Sequence, residues 1–141
     1  MESFEYYLKN KLVRKESKNL ERARALVNDA FQRIQDVNSI NIEKVPKLAF
    51  EHTYDALRDF CDAVLIAEGF KSYSHEASIV YLSKKGFGLD KVMQLDNFRF
   101  KRNGSKYYGH KVGIAQVREI LEFYKLNEES FRQIFKVLNI I

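Results

Sequence analysis

The sequence predicts an all-α protein, an up-and-down bundle of about five helices. Three observations predict it. Apolar residues recur at three- and four-residue steps through the long segments of the chain. No segment alternates with period two over a useful length, and no Asn-Gly or Asp-Gly hairpin joins two such runs. Helix punctuation also falls where the apolar patterns begin and end, at Pro46, Gly69, Gly86 and Gly113.

Residues 1–16 mix aromatic and basic residues (Phe4, Tyr6, Tyr7, Leu8, Leu12, Val13) and read as a short helix or an arm packed across the bundle. Ser17 is the expected N-cap of the next helix, because its hydroxyl can accept from a free amide in the first turn. That helix carries Leu20, Ala23, Leu26 or Val27, Ala30, Phe31 and Ile34 on one face and ends near Asn38. Pro46 suits the first turn of the following helix, where its missing N–H costs little. Leu48, Ala49, Thr53, Ala56, Leu57, Phe60, Cys61, Val64 and Leu65 form a stripe wide enough for a central helix with more than one neighbour. Gly69 is its natural stop. Ser74 caps a shorter helix running to Gly86, with Glu76 near its positive end. A further helix is expected from Leu89 to about Lys106, with Val92, Met93, Leu95 and Phe98 inward. A long final helix after Gly113 carries Ile114, Val117, Ile120, Leu121, Tyr124, Ile134, Phe135 and Leu138.

The length of 141 residues suits a single domain, 1–141, able to bury a core without disulfides. With 45% apolar and 30% charged residues the composition is that of a folded globular chain. The longest apolar runs, such as 63–67, fall far short of the roughly 20 residues that cross a bilayer, so no membrane association is expected. The first residues are acidic and lack the basic and apolar regions of a secretory signal. The single cysteine, Cys61, lies on an apolar stripe and reads as a buried small hydrophobe. Together these points place the protein in a cytoplasm. The net charge of +5 permits an anionic partner such as RNA or a nucleotide without requiring one. His52, His75 and His110 show no zinc spacing, no phosphate-binding loop is present, and no cofactor or metal is expected. His52 reads as a partly exposed helix residue and His75 as a capping or packing residue beside a helix start. Arg58 and Asp62, four apart, read as a surface pair.

Polar chemistry concentrates in residues 95–110, L-D-N-F-R-F-K-R-N-G-S-K-Y-Y-G-H. On a helix, Leu95, Arg99, Arg102 and Lys106 share one row, and Asp96, Asn103 and Tyr107 the neighbouring one. Arginine forks beside Asn and Tyr suit phosphate oxygens, with Arg99, Arg102, Asn103, Lys106 and Tyr107 as the anion-binding set and Asp96 and Tyr108 in support. His110 can act as general acid or base near neutral pH, and Arg102 can stabilise charge on a phosphorane, so the two are the candidate catalytic pair. A basic helix end is equally the pattern of a solvated surface that complements the helix dipole.

The stretch R-N-G-S-K-Y-Y-G-H, preceded by L-D-N-F-R, resembles the signature region of HEPN-domain proteins (higher eukaryotes and prokaryotes nucleotide-binding). The upstream Ala56-Leu57-Arg58 and residues 69–77, G-F-K-S-Y-S-H-E-A, resemble its small prokaryotic and archaeal members, and the likeness extends from about Ser17 to the end. The resemblance implies a helical bundle that often forms a homodimer, with the Arg-Asn motif facing a cleft at the interface. It implies one of two activities. The first is a nucleotide- or RNA-binding module, or the partner of a minimal nucleotidyltransferase in a toxin–antitoxin-type pair. The second is a metal-independent endoribonuclease with an R-x(4–6)-H motif. Arg102 and Asn103 match the first two motif positions, but seven residues separate Arg102 from His110, and Tyr107 and Tyr108 stand within the expected histidine window. An interaction domain with no ligand is the third reading.

Overall fold

The computed structural model describes all residues from Met1 to Ile141. Six helices and one small two-stranded antiparallel sheet follow in the order α1 (Phe4–Lys9), β1 (Val13–Lys15), α2 (Leu20–Asn38), α3 (Pro46–Glu68), β2 (Phe70–Ser72), α4 (His75–Tyr81), α5 (Leu89–Tyr108) and α6 (Ile114–Val137). A 3-10 turn, Leu82–Lys85, continues α4. The chain is mostly helical, as the sequence pattern requires.

The central position of α3 follows from its composition. Its buried residues include Ala49, Phe50, Tyr54, Leu57, Phe60, Cys61, Val64 and Leu65, which cover most of its circumference. It packs against α2, α4, α5, α6 and β2. Small residues on α2, Ala23 and Ala30, are fully buried and let α2 lie close along α3. Phe60 anchors the aromatic part of the core, with ring centroids 4.9 Å from Phe31 and 5.2 Å from both Phe131 and Phe135. Pro46 occupies the first turn of α3, and Gly69 ends it in the left-handed conformation at φ 87°.

Several boundaries differ from the sequence expectation, each for a local reason. Residues 1–16 form both a helix and a strand. Val13, Arg14 and Lys15 pair antiparallel with Ser72, Lys71 and Phe70. Three residues per strand are too few to register as an alternating pattern. The N-cap of α2 is Asn19, whose Oδ1 accepts from the Arg22 amide at 3.0 Å, and not Ser17, which lies two residues outside the helix. Ser74 caps α4 as expected, accepting from the Ala77 amide at 3.3 Å. Met93 is 51% exposed, because Val92, Leu95 and Phe98 share the inner row and Met93 is turned about 100° away from Val92. Leu48, in the first turn of α3, is also exposed. The α5 helix runs two residues beyond Lys106, to a left-handed Gly109.

Candidate functional site

The inner row of α5 reads Val92, Leu95, Phe98, Arg102 and Ser105, all buried. An arginine has therefore taken a core position, and only 7% of Arg102 is exposed. A charge at such a place needs a partner. Asp55, on α3, supplies one oxygen, which accepts from Nη2 of Arg102 at 3.1 Å. One turn further along α5 and one turn earlier along α3, the Ser105 hydroxyl donates to Glu51 at 3.1 Å. The contact is one-pronged: Nε of Arg102 is buried and has no hydrogen-bond partner.

Arg99 lies one turn earlier and is more fully engaged. It donates to Asp96 at 2.7 Å and pairs with Glu76 of α4 at 3.5 Å. Glu76 also accepts from the Tyr7 hydroxyl at 3.2 Å, so this network ties α5 to α4 and α1. Burial, together with the Glu76 carboxylate, pushes the Tyr7 hydroxyl up to about 12.

A third arginine, Arg58 of α3, joins them. Its Nε is buried and lies 3.6 Å from Asp62, too far for a hydrogen bond. Asp62 instead accepts from Ser78 at 2.7 Å, and burial raises its carboxyl above the usual carboxylate range. Tyr54, one turn before Arg58, is 1% exposed and its hydroxyl has no partner. The guanidinium charges of Arg58, Arg99 and Arg102 all bear on Tyr54 and on His75, the first residue of α4. Burial first, and then these three cations, depress the His75 imidazole to about 4, so it is neutral at pH 7. Three of the four buried side-chain polar atoms without a partner therefore belong to this one junction of α3, α4 and α5.

The structure separates Arg102 from His110. The His110 amide donates to the Gly104 carbonyl at 3.1 Å, closing the end of α5, and its ring lies over Gly104. A Cβ at Gly104 would stand 2.5 Å from Nδ1 of His110. Gly104 follows Arg102 by two residues and so lies about 200° around the helix, away from the side that meets Asp55. Tyr107 and Tyr108 are 65% and 76% exposed and do not pack on α6. Lys106 and His110 are also exposed, Asn103 is half-buried, and the Lys106 ammonium stands 5.5 Å from the centre of the Tyr107 ring.

The expected anion-binding set is thus divided. Arg99 and Arg102 face inward and are held by carboxylates, while Lys106, Tyr107 and Tyr108 stand in solvent. Tyr54, Asp55, Arg58 and His75 complete the inward group and were not assigned to a site by the sequence reading. Their signal is a polar row, Glu51, Asp55, Arg58 and Asp62, at helical spacing along the most buried helix of the protein. A cavity of about 300 Å³ beside Phe87 and Ile134 lies away from these residues, and one of about 330 Å³ beside Glu16 and Asp59 reaches only Asp62 among them. No group of three or more His, Cys, Asp or Glu side chains is arranged to hold a metal ion, and no helix is long and apolar enough to cross a membrane. No family model, curated protein or solved structure matches the chain.

Proposed function

We propose that this protein is a HEPN-like helical module that binds single-stranded RNA or a nucleotide at the C-terminal end of α5. One observation carries the reading: two exposed tyrosines, Tyr107 and Tyr108, stand beside Lys106 on the helix that holds Arg99, Arg102 and Asn103. Exposed aromatic rings interleaved with cations are a stacking platform for unpaired bases, and each stacked base contributes about 1–3 kcal/mol. Asn103, about 40° from Tyr107 around α5, places an amide near the phosphates of a strand stacked there, and Arg102, on the inward side and held by Asp55, reaches a phosphate only when that carboxylate is displaced. Replacing both tyrosines by alanine is expected to weaken binding of a fluorescent single-stranded RNA by about tenfold or more, with unlabelled duplex a poor competitor. Unchanged affinity in the double variant would refute the placement.

The same helix offers the face for a homodimer. Leu89, Met93 and Phe100 are 68%, 51% and 69% exposed and fall on one side of α5, within about 40° of one another. Two copies packed antiparallel on this face would flank the seam with their tyrosine ends. Sedimentation of Phe100→Glu is expected to give monomer where the native chain gives dimer. A minimal nucleotidyltransferase is the protein partner that the HEPN resemblance suggests, and a pull-down with such an enzyme tests it.

A further inference from the structure

We infer that Asp55 is an internal stand-in for an anionic ligand, and that the junction of α3, α4 and α5 opens to a phosphate group when Asp55 is displaced from Arg102. This rests on the anion-binding role proposed for Arg102 and adds Asp55, Arg58, Tyr54 and His75 to it.

Arg102 and Asp55 are mismatched. A guanidinium and a carboxylate that are well matched meet through two parallel hydrogen bonds. Arg102 meets Asp55 through one, at 3.1 Å, and leaves a buried Nε–H without an acceptor. Such an orphaned donor is costly, and a folded core normally avoids it. The same shortfall recurs at Arg58, whose Nε lies 3.6 Å from Asp62, and at the hydroxyl of Tyr54. All three groups have a hydrogen to donate, and the neighbouring carboxylates Asp55 and Asp62 leave those hydrogens unmatched. A tetrahedral oxyanion carries several acceptors on one atom and could serve Nε and Nη2 of Arg102 together. Asp55 is the movable part, because its side chain is 30% exposed whereas that of Arg102 is 8% exposed. Arg99 would stay in place, held by Asp96 and Glu76.

The ligand chemistry is a phosphate monoester or inorganic phosphate. Its charge would replace the one that Asp55 withdraws beside Arg102, while Arg58 and Arg99 keep their own carboxylates, Asp62 for the first and Asp96 with Glu76 for the second. His75, half-buried at the start of α4, feels the charges of Arg58, Arg102, Arg99 and Asp55 and reports on the event.

The test uses inorganic phosphate and the full chain. Calorimetric titration is expected to show weak binding to the native protein, about tenfold tighter binding to Asp55→Asn, and none to Arg102→Gln. The His75 imidazole resonance is expected to shift on phosphate addition while that of His52 stays fixed. If Asp55→Asn binds phosphate no more tightly than the native chain, or if the His75 resonance does not move, the inference is overturned. Asp55→Ser removes the same carboxylate and replaces Asp55→Asn should that variant fail to fold. The result separates from the RNA reading. RNA binding that depends on the tyrosines, without a gain in Asp55→Asn, removes this inference alone. A phosphate gain without RNA binding removes the other.

Discussion

Arg102 shows how one residue can be placed by its neighbours in sequence and still be misjudged from them. Its spacing from Leu95 and Arg99 placed it on a row of cations, which ordinarily means a solvated face. The same spacing from Val92, Leu95 and Phe98 places it on the inner row, and burial decides between the two. Gly104 is the second such residue. A glycine inside a helix costs about 1 kcal/mol relative to alanine, and here the missing Cβ makes room for the His110 ring. Gly104→Ala is expected to free His110 from α5 with little loss of stability, since the ring is exposed and able to move; a changed His110 resonance beside an unchanged melting temperature is the check. His75 gives a pH prediction. Its folded-state pKa, about 4, lies below the ordinary histidine value of roughly 6.5. Between those values the unfolded chain binds the proton more readily, so stability falls as pH drops through that window. Asp59, raised by burial to about 6, acts in the opposite sense: it favours the folded state as pH falls from about 6 towards 4. Urea unfolding at pH 7 and pH 4.5 is therefore expected to show a smaller acid loss in His75→Gln than in the native chain.

At the scale of elements, the long helices were legible because each had both a periodic apolar face and a physical stop. Pro46, Gly69 and Ser74 act where their chemistry requires. The Asn19 cap was missed because Ser17 and Asn19 are both competent caps two residues apart, and only the observed fold of the intervening chain separates them. The β1–β2 pair was not legible, since it is stabilised by the passage of residues 13–15 beside the end of α3 and not by a pattern within either strand. The C-terminal end of α6 is joined to α2 by Arg24, whose Nε and Nη2 donate to the Asn139 carbonyl at 3.0 and 2.8 Å. Asn139 takes the left-handed conformation that turns that carbonyl toward α2. Arg24→Ala is expected to lower stability by about 1–2 kcal/mol, toward the low end for a charged hydrogen bond because the contact is exposed. Chemical denaturation measures it, with hydrogen exchange expected to rise first in the last turn of α6.

For the whole molecule, α3 is both the centre of the core and one wall of the polar junction. Its apolar circumference was readable from the sequence; the polar row through it was not, because Glu51, Asp55, Arg58 and Asp62 taken singly look like ordinary surface positions on a long helix. Their meaning depends on which helices lie across them, and that is a property of the assembled bundle. The bundle gives α5 two separate faces. One turns Arg102 toward Asp55, and the other leaves Leu89, Met93 and Phe100 uncovered. At its C-terminal end the helix carries two exposed tyrosines.

The central claim is that this end of α5 binds RNA and that Arg102 is needed for it. The most direct measurement is fluorescence anisotropy of a labelled single-stranded RNA with the native chain, Arg102→Gln and His110→Ala, in EDTA, with each sample then run on a denaturing gel. Saturable binding by the native chain is expected, with a loss of about tenfold in Arg102→Gln, little change in His110→Ala, and intact RNA throughout. Full-strength binding by Arg102→Gln, or no binding by the native chain, would contradict the account. Metal-free cleavage lost in both variants would contradict it in favour of an Arg102–His110 ribonuclease.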